Sequence, residues 1–317
     1  MATLICGSLA YDNIMTFEGR FREHILPEQV HILNVSFLVP TMRSEFGGCA
    51  GNIGYALHLL GGDARIMATL GEVDAARYLE RLDSLGLKKT NIRVLPGTYS
   101  AQAMITTDLD NNQITAFHPG AMMQSHLNRA DEADNITLGI VAPDGYDGMV
   151  QHSEQLAAAG IPFLFDPGQG LPLFDGATLR RMIELATYVA VNDYEAKLVS
   201  NKTGWSIEEI ASKVEALIIT LGEHGAQIHH AGGIEDIPAV TAQQVLDPTG
   251  CGDAFRGGLL YGIEHQLGWA TTGRLASLMG ALKIEHLGPQ NYAPTPADIQ
   301  NRFKQAFGYD LPSFNQA

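Results

Sequence analysis

The chain of 317 residues is 45% hydrophobic and 17% charged, enough apolar material for one large core, with or without a satellite subdomain. Its formal net charge of −15 argues against nucleic acid or an anionic membrane as partner, since either requires a basic footprint that releases counterions. It has no apolar run of about 18 residues, and Cys6, Cys49 and Cys251 stand too far apart for a zinc or disulfide framework.

The N-terminal MATLICGSLAYD enters an apolar strand without a basic leader or cleavage site, so a soluble, cytoplasmic protein is expected. Residues 13–45 then read as inserted antiparallel strand material. EFGGCAGNIGYALHLLGG, residues 45–62, is a glycine-rich turn into an apolar helix, with Asn52 on its first turn. ARIMATLG reads as a strand and Ala75–Leu85 as a helix. Residues 98–122 form a second inserted β segment, in which Asn111 and Asn112 separate runs rich in Ile, Thr and Phe and supply hairpin-turn chemistry. The two insertions together predict a small β lid.

Beyond them, short β-branched runs alternate with helical spacing: ITLGIVAP, a helix over Met149–Ala159, PFLFDPG, a helix over Ala177–Ala186, then YVAVND and ALIITLG. Three helices follow, near Asp253–Leu267, Ala270–Glu285 and Pro296–Ala306. This alternation predicts βα units in a mostly parallel sheet, an α/β fold. With no repeat, low-complexity tract or linker, residues 1–317 read as one domain.

The strongest chemical signal is DPTGCGDAFRGGLLYGI, residues 247–263. Gly250, Cys251 and Gly252 make a small-residue turn into a helix, whose first N–H groups converge on one point and suit an anion. Asp253 beside that point can accept a hydroxyl proton. On its own, Asp253 would serve equally as a helix N-terminal carboxylate, a role worth roughly 0.3–1 kcal/mol. Arg256, one turn later, reads first as the partner of a nearby carboxylate.

GGCAGN with its helix and closing LGG, followed some two hundred residues later by DPTGCGDAF, resembles the two signatures of the PfkB, or ribokinase-like, carbohydrate and nucleoside kinases. VNDYEA at 191–196 resembles that family's Asn-x-x-Glu element, and ITLGEHGAQ at 219–227 its nucleotide-binding strand and turn. The resemblance spans essentially the whole chain and implies a three-layer α/β/α fold with a β lid. It implies Asp253 as catalytic base and Gly250, Cys251 and Gly252 as the hole for the migrating phosphoryl group. Asn192 and Glu195 would organise Mg2+, largely through water. Asn192, Thr220, Gly222 and Gly225 would line ATP, and Asp247 with Thr249 would hold a monovalent cation such as K+. Asp12, Gly48 and Asn52 would grip the acceptor hydroxyls, with Ser8, Gln169 and Asn112 as further contacts to sugar or base.

Cys49 stands where ribokinases carry the lysine of GGKGAN, and Gly170 of DPGQG replaces the arginine of a DPNxR pattern. The lost arginine points to an uncharged acceptor. Met15, Phe17, Phe37, Met42, Met104, Phe117, Met122 and Met123 lie in the lid-like segments and could cover a nucleobase, although lid core or dimer interface would use the same residues. With SLAYDNIM and GPQNYAPT they resemble the prokaryotic nucleoside kinases of the family. The expectation is an ATP-dependent nucleoside 5′-kinase acting on adenosine or a broader set, forming a homodimer through the lid. The rivals are a neutral-sugar kinase and a catalytically silent nucleotide sensor. A Rossmann dehydrogenase is disfavoured because GSLAYD stands where GxGxxG belongs.

Overall fold

The computed structural model describes residues 2–25, 34–110 and 112–312. In chain order run β1 (Ala2–Cys6), β2 (Ala10–Thr16), α1 (Phe21–His24), β3 (Thr41–Gly47), α2 (Cys49–Leu59), β4 (Asp63–Gly71), α3 (Ala75–Ser84), β5 (Ile92–Leu95), β6 (Ala101–Thr107) and β7 (Gln113–His118). There follow β8 (Ile136–Val141), α4 (Tyr146–Ala158), β9 (Phe163–Phe165), α5 (Gly176–Leu185), β10 (Tyr188–Asn192), α6 (Asp193–Thr203), α7 (Ile207–Ala211) and β11 (Ala216–Thr220). The last elements are β12 (Ala226–His230), β13 (Gly233–Ile237), α8 (Cys251–Glu264), α9 (Trp269–Ile284) and α10 (Pro296–Phe307).

Among the described residues, nine strands form one sheet in the order β13-β12-β11-β10-β9-β8-β1-β4-β5, parallel except for the pairings β11–β12 and β12–β13. The strands read as unbroken apolar runs because both faces are covered. Within β11, Ala216 and Ile218 join the core under α2, α8 and α9, whereas Leu217 and Ile219 join the core under α4, α5 and α6. In β1, Ile5 faces the first core and Leu4 and Cys6 the second, the same period of two. The predicted strands fall within or overlap the observed ones, and α3, α5, α9 and α10 match their expected spans within a residue. Helix α4 begins at Tyr146 rather than Met149, after a first turn that lacks apolar periodicity. The antiparallel β12–β13 hairpin, the largely polar helix α6 and the short helix α7 were not anticipated.

The second sheet, in the order β3-β2-β6-β7, contains the anticipated insertions with two corrections. First, the reading of residues 13–45 as strand material fails between its ends. Strand β2 starts at Ala10, Phe21–His24 is helical, residues 34–39 are irregular, and 26–33 lie outside the described residues. Phe17 packs there against Phe21 and Phe37 at ring separations of 5.8 and 4.8 Å, a local aromatic cluster rather than a strand face. Second, the sheet is not wholly antiparallel, because β2 and β6 pair in parallel. The intervening chain passes through β4, α3 and β5, long enough to return β6 in the same direction. The hairpin between β6 and β7 is held by Asp108, whose carboxylate accepts the main-chain N–H groups of Asp110 and Asn112 at 2.9 and 2.8 Å. Asn111 lies outside the described residues.

Candidate active site

The carboxyl ends of β1, β9, β10 and β11 meet the N-termini of α2 and α8 along one edge of the large sheet, the edge at which open α/β sheets bind ligands. Helix α8 begins there because Gly250 takes a left-handed conformation, φ 80°, and any Cβ at that position would stand 2.7 Å from the Pro289 Cβ. Cys251 N–H bonds Pro248 O at 3.1 Å and Ala254 N–H bonds Gly250 O at 2.9 Å. Helix geometry therefore leaves the N–H groups of Gly252 and Asp253 without an intrahelical acceptor. Gly252 faces open space, the nearest atom to a Cβ built there being Arg256 Nη1 at 3.8 Å. Of the three residues assigned to the anion hole, Gly252 is thus the one with an open approach, while Cys251 already gives its N–H to Pro248.

Asp253 is held from several sides. Its Oδ2 accepts Asn52 Nδ2 at 2.8 Å; Asn52 Oδ1 in turn accepts Gln290 Nε2 at 3.1 Å, and the same Nε2 lies 3.0 Å from Tyr78 Oη. Tyr78 donates to Gly47 O at 2.7 Å, at the end of β3. Asn52, expected at the acceptor hydroxyls, is therefore placed against Asp253 and orients it. Burial raises the Asp253 pKa to about 6; the Asn52 bond and the Arg256 cation lower it, and the Asp166 and Asp12 anions raise it. Arg256 answers its reading as a carboxylate partner: it forms a two-pronged buried pair with Asp166, Nε to Oδ2 at 3.0 Å and Nη2 to Oδ1 at 3.3 Å. An elevated base is protonated earlier on acidification, so kcat/KM should decline as the pH falls through about 6. A pH–rate profile that stays flat through that region would contradict the assignment.

Asp12, on β2, is the second carboxylate of the site. Burial, with the Asp247 and Glu45 anions, raises its pKa to about 6, and among the described residues no donor bonds its oxygens. Strand register puts Asp12 on one face of the small sheet with Glu45, Ala103 and Phe117. Met42 and Met104 pair with neighbours of opposite parity and occupy the other face, so of the apolar lid residues singled out from the sequence, Phe117 shares the Asp12 face. Gly48 caps α2 at φ 85°, where a Cβ would meet Ser8 O at 2.5 Å. Ser8 Oγ accepts Cys49 N–H at 3.1 Å and so completes the start of α2. Asn112 is bound back to Asp108 in the hairpin turn, and Gln169 is exposed in the turn after β9.

Along the same carboxyl edge, Asn192 and Thr220 are register partners at the ends of β10 and β11, and Gly222 and Gly225 flank the turn into β12. Asn192 and Glu195 form a capping box: Glu195 N–H donates to Asn192 Oδ1 at 2.7 Å, and Asn192 N–H to Glu195 Oε2 at 2.8 Å. One Glu195 oxygen remains, on a carboxyl whose pKa burial raises. No cluster of three or more acidic, His or Cys side chains suited to a metal occurs among the described residues. This donor set fits a hydrated divalent ion that keeps its waters, not a closed protein cage.

Gln290, Tyr78 and Asp166 were not assigned roles from the sequence. Asp166 lies in DPGQG and Gln290 in GPQNY, but their importance follows from contacts some 90 to 240 residues away in sequence.

Residues 16–296 match the profile of the pfkB family carbohydrate kinases. A nucleoside kinase of Burkholderia thailandensis, solved in complex with inosine, is 76% identical over 98% of this chain and 99% of that one, with a TM-score of 0.89. The same enzyme in complex with ADP-inosine is 77% identical over 98% and 97%, with a TM-score of 0.88. A nucleoside kinase of Methanocaldococcus jannaschii is 26% identical over 96% and 99%, with a TM-score of 0.87.

Proposed function

The chain belongs to the pfkB family of carbohydrate kinases and is a phosphotransferase acting on a hydroxyl group; from that premise we propose an ATP-dependent nucleoside kinase that phosphorylates the ribose 5′-hydroxyl. The observation that carries this reading is the pair of carboxylates at the start of α8 and on β2. Asp253 is anchored beside free helix N–H groups, and among the described residues no donor bonds Asp12. One suits a base at the reacting hydroxyl and the other a two-oxygen acceptor for neighbouring ribose hydroxyls. The inosine-bound relative supports a nucleoside over a free sugar.

In this mechanism Asp12 and Phe117 hold ribose and base beneath the small sheet, which serves as a lid. Asp253, fixed by Asn52, takes the 5′-hydroxyl proton as the oxygen attacks the terminal phosphorus of ATP and the bond from that phosphorus to the departing ADP breaks. The Gly252 and Asp253 N–H groups meet the charge on the transferring phosphoryl oxygens. Asn192 and Glu195 would hold Mg2+ through water, and that ion, when bound, neutralises the ATP phosphates. Thr220, Gly222 and Gly225 lie on the same edge, where the nucleotide would run. No helix is long and apolar enough to cross a membrane among the described residues, and a cytoplasmic location accords with an ATP-using enzyme.

Release of ADP should be seen with adenosine or inosine, and turnover of ribose or fructose with neither nucleoside would sink the proposal. Replacing Asp12 by Asn should raise the nucleoside KM by about tenfold or more while the ATP KM stays near its original value, because a lost charged hydrogen bond is worth roughly 1.5–3 kcal/mol. Equal effects on both substrates would remove Asp12 from the acceptor site.

A further inference from the structure

The position given by family resemblance to a monovalent cation, at Asp247 and Thr249, already holds a positive charge from the chain itself. Lys283, in the last turn of α9, is fully buried, with 0% exposure. Its ammonium donates to Asp247 O at 2.7 Å and to His286 O at 3.2 Å, and stands 4.0 Å from Asp247 Oδ2. The rest of the Asp247 carboxylate is engaged: Oδ1 accepts Thr249 N–H at 2.9 Å, Oδ2 accepts Gly288 N–H at 2.9 Å, and Arg43 of β3 lies 3.9 Å from Oδ2.

Two carbonyls and a carboxylate are the oxygen ligands a monovalent ion would seek, and here the ammonium hydrogen-bonds both carbonyls and pairs with the carboxylate at 4.0 Å. A lysine merely complementing the dipole of its own helix would lie on the carbonyls of that helix's last turn. Lys283 instead reaches the loop that leads into α8, thirty-six positions away in sequence. A K+ ion sharing these oxygens would stand against a like charge in a buried setting, where repulsion is poorly screened. The residues present therefore do not fit a bound monovalent ion at this place.

We propose that Lys283 is a resident substitute for the monovalent cation, its ammonium tying the Asp247 loop to the segment after α9 and fixing the helix start that carries Gly252 and Asp253. Asp247 itself is drawn both ways: burial raises its pKa, but the Gly288 and Thr249 donors and the Lys283 cation outweigh this and hold it below the usual range.

The activity arm of the test rests on the nucleoside kinase reading; the binding arm does not. Initial rates of the unaltered protein in K+ and in tetramethylammonium buffers of equal ionic strength should agree within about twofold. A many-fold rise with K+ would overturn the proposal. Crystals soaked in Tl+ should show no anomalous peak beside Asp247 O, and a peak there would overturn it regardless of any activity. Lys283→Met, or Lys283→Gln if the first does not fold, should melt at lower temperature and recover part of the loss in K+ but not in tetramethylammonium. Melting equal to that of the unaltered protein, with no cation effect, would also overturn it. Absence of turnover in both buffers would count against the kinase reading alone, and the thallium result would still decide Lys283.

Discussion

Replacing Asp253 by Asn should lower kcat by roughly 10²- to 10⁴-fold while ATP still binds, since that is the usual contribution of a positioned general base. Asparagine keeps the shape, and its carbonyl can still accept the Asn52 amide that now bonds Oδ2 at 2.8 Å. The variant therefore removes the proton acceptor with little disturbance of the network running from Asn52 through Gln290 to Tyr78. Single-turnover rates with saturating nucleoside, beside calorimetric titration of ATP, separate the two effects. Near-normal turnover would show that Asp253 is a helix-end carboxylate and that the base lies elsewhere.

Arg256→Met should destabilise the fold by about 3–5 kcal/mol, the usual penalty for leaving one member of a buried ion pair uncompensated. The stranded member would be Asp166, 6% exposed on its side chain and without its two guanidinium contacts. Pairing the change with Asp166→Leu should restore much of the stability, because an apolar pair of similar volume removes the buried charge altogether. Denaturant unfolding of the two single variants and the double variant reads this directly; additive losses would mean that the pair is not a unit. The same residues should move the acid limb of the rate profile in opposite directions. Asp253 faces Asn52, Arg256, Asp166 and Asp12; loss of Arg256 removes a cation that lowers its pKa, and Asp166→Asn removes an anion that raises it. The limb should rise in Arg256→Met and fall in Asp166→Asn. Shifts of the same sign would show that packing, and not charge, links the pair to the base.

Much of this architecture was legible because its causes are local. Buried parallel strands announce themselves as apolar runs, and DPTGCGDAF encodes a left-handed glycine, a helix start and a carboxylate within a few residues. Asn192 and Glu195 were singled out through the resemblance of VNDYEA to a family element, and the capping box shows that the same pair also has a purely structural use. What the sequence did not disclose depends on distant partners. Nothing in GPQNY says that Gln290 will meet Asn52, and no motif marks Lys283 as the neighbour of Asp247. The small sheet was anticipated from β-rich segments, but which of its apolar residues share a face with Asp12 needed the register across four strands.

The parallel pairing of β2 with β6 has a consequence for how the enzyme comes to exist. A sheet made only of hairpins could form early and alone, but here the two central strands are neighbours only after β4, α3 and β5 have been laid down between them. Closing that loop is a long-range event, and such contacts form slowly. The small sheet is thus a late product of the body it packs against. Pulse-labelled hydrogen exchange during refolding should find β2 and β6 protected after β1 and β4, and earlier protection of the small sheet would refute that order. The part of the molecule that would exclude water from the chemistry is, on this view, assembled by the chemistry's own scaffold.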